Sequence, residues 1–215
     1  MTTFTIAMTM PDILINTENI FLNRGICELL SEIAKEEHIR EPYSVVDCST
    51  DILDPIDMLF TEMAAGEHYL CHPFFKKLPP HTSIFIFVAT DSALQVEQLP
   101  LCLRDATFIS MNSDLRRVKN QIAKRLTEST TSSCGGLEKD SRRCVKCPRL
   151  TLTKSQLYII NAIRTGMNNQ QIAQKLGISH KTIFSHKINI MKKFQIATKQ
   201  ELTRFSSVAL DRKST

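Results

Sequence analysis

The chain has 215 residues, 42% of them hydrophobic and 23% charged, with a formal net charge of +5. These are ordinary values for one large or two modest globular domains. No apolar run is long enough to span a bilayer, and the N-terminus lacks the basic start of a secretory signal. Seven cysteines in no paired framework fit a reducing compartment better than a disulfide scaffold. A membrane protein and a disulfide-stapled secreted domain are thereby disfavoured, and a cytoplasmic location is expected.

Residues 13–16 (ILIN), 44–48 (SVVDC), 57–62, 83–89 (SIFIFVA) and 107–110 have the short, apolar or alternating character of strands. Between them lie helical patterns. Leu22, Ile26, Leu29, Leu30 and Ile33 share one face of a helix over 20–34, and Leu115, Val118 and Ile122 share one over 114–126. Alternation of this kind predicts an α/β domain over residues 1–126, with a parallel sheet and helices on both faces. Cys27, Cys48, Cys71 and Cys102 stand in apolar surroundings and are expected to be small core residues. His68 and His72 are four residues apart, but Pro73 argues against a helix that would bring them together. With His81 they form no recognisable catalytic set.

Residues 127–149 (TESTTSSCGGLEKDSRRCVKCPR) are polar, carry Gly135-Gly136 and lack periodicity, as a flexible linker does. Cys144 and Cys147 form a CxxC, with Cys134 ten residues before it. A closed zinc site needs four ligands, and no second pair lies nearby, so no metal site is expected. Arg142, Arg143 and Lys146 would lower thiol pKa values and make a redox role chemically reasonable. Free linker thiols are the simpler expectation.

Residues 150–215 read as four short helices. Asn168 can cap a helix through NQQIAQKLG, Gly177 ends it, and Ser179 caps a second helix from His180 to Phe194. Two helices joined by a short Gly-containing turn, about Asn169 to Ile188, make a helix-turn-helix, whose second helix enters the DNA major groove. On that helix Ile183, Ile190 and Phe194 form an apolar stripe that must be buried. Lys181, Ser185, Ile188 and Lys192 fall on the opposite side, flanked by Thr182, Phe184 and Asn189. Cations, hydroxyls, an amide and apolar groups are the types that meet phosphates, base edges and thymine methyls. A core helix with a solvated lysine face would show the same pattern.

Charge distribution separates the two readings. Residues 149–215 hold twelve Lys or Arg and two acids, a net of +10, whereas residues 1–148 carry a net of −5. A basic domain joined to an acidic one attracts a polyanion and gains free energy from counterion release. Double-stranded DNA is the expected partner.

The C-terminal segment resembles the DNA-binding domain of the LuxR/FixJ (GerE-type) regulator family. The resemblance is carried by Leu152-Thr153, Gly166, Gln171-Ile172-Ala173, Leu176-Gly177-Ile178-Ser179, Lys181-Thr182-Ile183, His186, Asn189-Ile190-Met191, Lys193 and Leu202. It covers about a quarter of the chain. It implies that Phe184, Ser185 and Ile188 face bases and that Lys181, Lys187 and Lys192 lie nearer phosphates; His186, at the edge of the buried stripe, reads as a packed or phosphate-facing residue. It also implies that the last helix, from Thr198 to about Leu210, serves dimerisation. One departure is the first helix, which begins Lys154-Ser155-Gln156 rather than with acids, so a less stable N-terminus is expected there.

The same resemblance makes the N-terminal domain receiver-like (flavodoxin-like) but degenerate. The best register puts Thr17-Glu18 at the cation-binding acidic pair, Glu62 at the phosphoacceptor, Thr90 at the hydroxyl, and Met111 or Asn112 where a Lys belongs. Glu does not replace the aspartyl nucleophile and the Lys is missing, so phosphotransfer is not expected. No cofactor and no enzymatic activity are expected either. The pattern is similar in character to the enterobacterial RcsA-type atypical regulators, with which the run from Lys181 to Lys187 is shared. The expected function is sequence-specific transcription regulation without conventional receiver phosphorylation. It would act as a homodimer or as a heterodimer with another LuxR-type regulator, with RNA polymerase a further candidate partner. The alternatives are an interaction protein that touches DNA weakly while modulating a partner, and a thiol- or metal-responsive regulator acting through Cys134, Cys144 and Cys147.

Overall fold

The computed structural model describes residues 11–36, 44–46, 56–89, 94–131 and 147–211. Thr90, Cys48, Cys134 and Cys144 lie outside them. The chain forms two compact units, one built from Met1–Glu62, Lys77–Phe87 and Ala106–Asp140, the other from Met63–Lys76, Val88–Asp105 and Ser141–Thr215.

The first unit is organised by a five-stranded sheet. Its strands are β1 (Asp12–Asn16), β2 (Ser44–Val46), β3 (Met58–Met63), β4 (Ser83–Val88) and β5 (Thr107–Ser110), in the order β2-β1-β3-β4-β5. β1 runs parallel to both neighbours, with Ile13 opposite Val45 and Leu14 opposite Leu59. The Asp57 carboxylate accepts from the Asp12 amide at 3.0 Å and sets the start of that pairing. Side chains alternate across a pleated strand, so Ile13, Ile15, Met58, Phe60, Phe85, Phe87 and Ile109 share one face. They pack with Ile26, Leu29, Leu30 and Ile33 of α1 (Ile20–Glu36) and Val118, Ile122 and Leu126 of α3 (Leu115–Thr131) in one core cluster. The rings of Phe60 and Phe85 stack at 4.8 Å inside it. Leu14, Leu59 and Ile86 on the other face are buried too, as in a sheet covered on both sides. Asn19 starts α1 by accepting from the amides of Phe21 and Leu22.

The receiver-like architecture is therefore present, with differences from the expectation. Between β3 and β4 stand only a 3-10 turn (Glu67–Tyr69) and a five-residue helix α2 (Pro73–Lys77). Two further 3-10 turns, Val96–Gln98 and Leu101–Leu103, lie between β4 and β5. Prolines 73, 79, 80 and 100 punctuate these stretches and leave no room for a long helix. Pro73 opens α2, so His68 and His72 share no helix. α3 runs to Thr131, five residues into the segment read as aperiodic linker. No Gly or Pro intervenes before Gly135, so the helix continues through weak formers. Cys27, Cys71 and Cys102 are half-buried rather than core residues. Cys27 lies against the core cluster, on a helix position that looks sideways.

The second unit holds α4 (Lys154–Arg164), α5 (Asn169–Leu176), α6 (His180–Lys193) and α7 (Lys199–Asp211). α4 packs on α6 and α7, and α5 on α6, around Ile159, Ile160, Ile172, Ile183, Ile190, Phe194, Leu202 and Phe205, all buried. The rings of Phe194 and Phe205 meet at 4.7 Å between centroids.

Candidate nucleic-acid interface

The ends of these helices are set by local chemistry. Asn168 and Gln171 form a reciprocal capping box at the start of α5, with bonds of 2.9 and 2.8 Å. The two residues thereby satisfy two of the donors that every helix N-terminus leaves open. Gly177 then takes φ +65°, a left-handed conformation open to glycine at little cost, and closes the helix. Two residues later the Ser179 hydroxyl accepts from the Thr182 amide at 3.1 Å and starts α6. The turn is therefore three residues long, and it sets α6 against α5.

α4 corrects one expectation. Its first turn lacks acids, but Thr153 and Gln156 form a second capping box, with bonds of 3.0 and 3.3 Å. The orphan donors are met by uncharged groups. A third reciprocal cap of this kind joins Thr198 and Glu201 at the start of α7, where the Glu201 carboxylate also accepts from the Ala197 amide at 2.8 Å.

α6 divides as its periodicity predicts. Ile183 and Ile190, with Phe194 just beyond the helix, are fully buried. Lys181, Thr182, Phe184, Ser185, Asn189 and Lys192 are exposed, and His186, Lys187 and Ile188 are half-buried. Phe184 is 51% exposed. The Ser185 hydroxyl donates to the Lys181 carbonyl of the preceding turn at 3.1 Å. The Thr182 hydroxyl lies 2.8 Å from that of Ser179.

Lys187, expected nearer phosphates, has a partner within the helical domain. Its ammonium donates to the Asn169 side-chain carbonyl of α5. Burial first, and then the positive charge of Lys199, hold its pKa below the usual lysine range. Lys187 therefore ties α6 to α5 in the free protein. Lys193 does similar work at the other end, donating to the Thr151 carbonyl at 2.7 Å. The partner Asn169 carries no signal in the sequence beyond lying in the first turn of α5.

In the first unit, the residues read as a degenerate receiver pocket are only partly brought together. The Thr17 hydroxyl donates to the exposed Glu62 carboxylate at 3.1 Å, across the adjacent ends of β1 and β3. It also accepts from the Asn19 amide at 3.1 Å. Glu18 is exposed. Met111 is 41% exposed beyond β5, and the Asn112 amide is held by the Ser110 hydroxyl at 3.2 Å. A hydroxyl stands where a second cation-binding carboxylate would be needed, and neither Met111 nor Asn112 supplies a cation for a transferring phosphoryl group. Of the linker cysteines, Cys147 is half-buried, and its sulfur lies 3.4 Å from the Leu101 amide that donates to it. Among the described residues no three His, Cys, Asp or Glu side chains converge as a metal site. No helix among them is long and apolar enough to cross a membrane.

Residues 150–206 match the family of bacterial regulatory proteins, luxR family. The oxygen regulatory protein NreC of Staphylococcus carnosus (strain TM300) is 29% identical over 102 residues, 47% of this chain and 47% of that protein. NreC of Staphylococcus epidermidis (strain RP62A) is 30% identical over 114 residues, 51% of this chain and 47% of that protein. The chain thus matches about half the length of these curated relatives. Among solved structures, RcsB from Salmonella enterica serovar Typhimurium bound to promoter P1flhDC has a TM-score of 0.54 at 17% identity, covering 93% of this chain and 99% of that one. A structure of two RcsB dimers bound to two parallel DNAs has a TM-score of 0.50 at 19% identity, covering 94% and 100%. At such identities the likeness is one of fold. Residues 150–206 are therefore similar to the luxR family of bacterial regulatory proteins, on the same chain as a receiver-like parallel sheet.

Proposed function

We propose that this protein is a cytoplasmic, sequence-specific DNA-binding transcription regulator that acts as a dimer and without conventional receiver phosphorylation. The observation that carries the reading is the exposed face of α6. A capped helix-turn-helix presents Lys181, Thr182, Phe184, Ser185, Asn189 and Lys192 together, on a segment with a net charge of +10. Lys181 and Lys192 lie at opposite ends of that face and reach phosphates. Phe184 and Ile188 suit thymine methyl groups, so shape and apolar contact carry much of the specificity. His186 and Lys187 border the contact, Lys187 by orienting α6. RcsB dimers, whose fold this chain shares, are solved bound to DNA, which supports DNA as the partner here.

Independence from phosphorylation rests on Glu62 and Met111. The phosphoacceptor position holds a carboxylate one methylene longer, already bonded to Thr17, and the position of the lysine holds a thioether. A second luxR-type subunit, identical or different, is the partner this reading requires.

The test is recovery of genomic DNA fragments by the purified full-length protein at near-physiological salt. A shared motif with two related half-sites is the expected result. Unrelated fragments whose binding disappears as salt rises would reduce the interaction to bare electrostatics and overturn the reading. The 51% exposure of Phe184 favours a second reading, in which α6 docks on a protein partner and DNA contact is weak. Lys181→Ala with Lys192→Ala separates the two, because regulation in cells that survives both changes removes DNA reading by α6.

A further inference from the structure

In the second unit, the C-terminal end of α6 is held by residues more than a hundred positions earlier in the sequence. Gly66, with φ +80°, precedes the 3-10 turn Glu67–Tyr69. A Cβ at Gly66 would stand 2.8 Å from the Phe194 carbonyl oxygen, 2.9 Å from Phe194 Cβ and 3.2 Å from Ile196 Cγ1. The backbone of this loop therefore lies directly on the residues that end α6, at a separation only glycine allows. Tyr69 is fully buried. Its phenol donates to the Gln195 side-chain carbonyl and accepts from the Gln95 amide at 3.1 Å. Its own carbonyl accepts from the Leu150 amide at 3.0 Å, where the helical domain begins.

Two features make this more than passive packing. Gln195 has φ +54°, the one non-glycine residue with positive φ among those described, a conformation that persists only where its surroundings hold it. The loop itself is pre-formed, because the Glu67 carboxylate accepts from the Ala64 amide at 2.7 Å. Burial raises the Tyr69 pKa, so its hydroxyl remains a donor at neutral pH.

We propose that the Gly66–Tyr69 loop is a clamp on the recognition helix, in which Tyr69 is a positioning residue that orders the last turn of α6 through Gln195 without touching DNA. The inference rests on the assignment of α6 to the major groove. Base readout depends on the angle at which that helix is presented. Its N-terminal end is fixed from within the helical domain by Ser179 and by Lys187 bonded to Asn169. Its C-terminal end is fixed by this loop, which continues β3. A partner that draws the loop away would change DNA affinity and leave the contacting face untouched.

Tyr69→Phe is the test, since it keeps the ring and removes the hydroxyl. Two readouts on the full-length chain apply. The first is amide hydrogen exchange over residues 191–198. The second is affinity for a fluorescein-labelled duplex bearing the motif recovered by fragment selection, measured across a range of salt. The expected result is faster exchange in that segment and a roughly three- to tenfold weaker affinity, the scale of one lost hydrogen bond, with an unchanged salt slope. Gln195→Ala should reproduce both effects, and the double variant should add little to either. Wild-type exchange and affinity in Tyr69→Phe would overturn the clamp. A shallower salt slope would also overturn it, because it marks a phosphate contact rather than positioning. If the wild-type chain recovers no motif, the DNA assignment fails, and with it the positioning role, whatever the exchange comparison shows.

Discussion

Gly177 and Asn168 show how single residues set the geometry of the candidate interface. Gly177 sits at φ +65° with open space around its Cβ position, so a side chain there meets backbone strain rather than a clash. Gly177→Ala should lower stability by about 1 kcal/mol, read from urea unfolding followed by circular dichroism. Asn168→Ala removes one half of a capping box and should cost about 1 kcal/mol by the same measurement. His68 gives a third prediction at this scale. Its ring is 3% exposed beside Tyr69, at 4.3 Å between centroids, and burial pushes its pKa down to about 4. In the unfolded chain the same imidazole takes up its proton near pH 6.5. Between those values the unfolded state binds the proton and the folded state does not. Stability is therefore full above pH 6.5 and falls as pH drops towards 4, by about 3 kcal/mol in all. Unfolding midpoints at pH 7 and pH 5 should show the fall, and His68→Gln should flatten it. These two roles differ in legibility. Gly177 and Asn168 announce themselves in the sequence because turn and cap chemistry is local, whereas nothing near His68 in the chain reveals its burial.

At the scale of elements, α6 was readable because one helix carries two chemistries at one period. Ile183, Ile190 and Phe194 fall on a single stripe, and all three are fully buried. Lys181 and Lys192 lie on the exposed side. If each neutralises one phosphate, their joint replacement by Ala should make the slope of log affinity against log salt shallower by about two. An unchanged slope would mark them as solvated surface charges. Lys187 was less legible, because a lysine between a buried stripe and a solvent face can turn either way. Its turn towards Asn169 depends on where α5 packs. The connections of the sheet domain were less legible still. Strands β1 to β5 stand within a residue or two of their patterned runs. The connections between β3 and β4 and between β4 and β5 carry 3-10 turns and the short α2, which no periodicity marked, and α3 outran its apolar pattern because nothing in 127–131 stops it.

At the scale of the whole molecule, the acidic and basic parts of the chain carry different chemistry. The receiver-like sheet keeps its strand order, β2-β1-β3-β4-β5, and the proposed register puts Glu62 and Met111 at the positions that phosphotransfer would use. Incubation with acetyl phosphate and Mg²⁺ should therefore leave the intact mass and the DNA affinity unchanged. A phosphorylated species, or an affinity that rises on treatment, would restore conventional receiver control. The sequence by itself determined the strand and helix periodicity, the caps of α5 and α6, the division of charge and the buried stripe of α6. Each depends on residues a few positions apart, or on simple sums over a segment. Only the tertiary structure decided that Tyr69 bonds Gln195, that Gly66 lies against Phe194 and that Lys187 serves α5. These contacts join residues distant in the chain, and burial and hydrogen-bond geometry, which no local pattern encodes, select them.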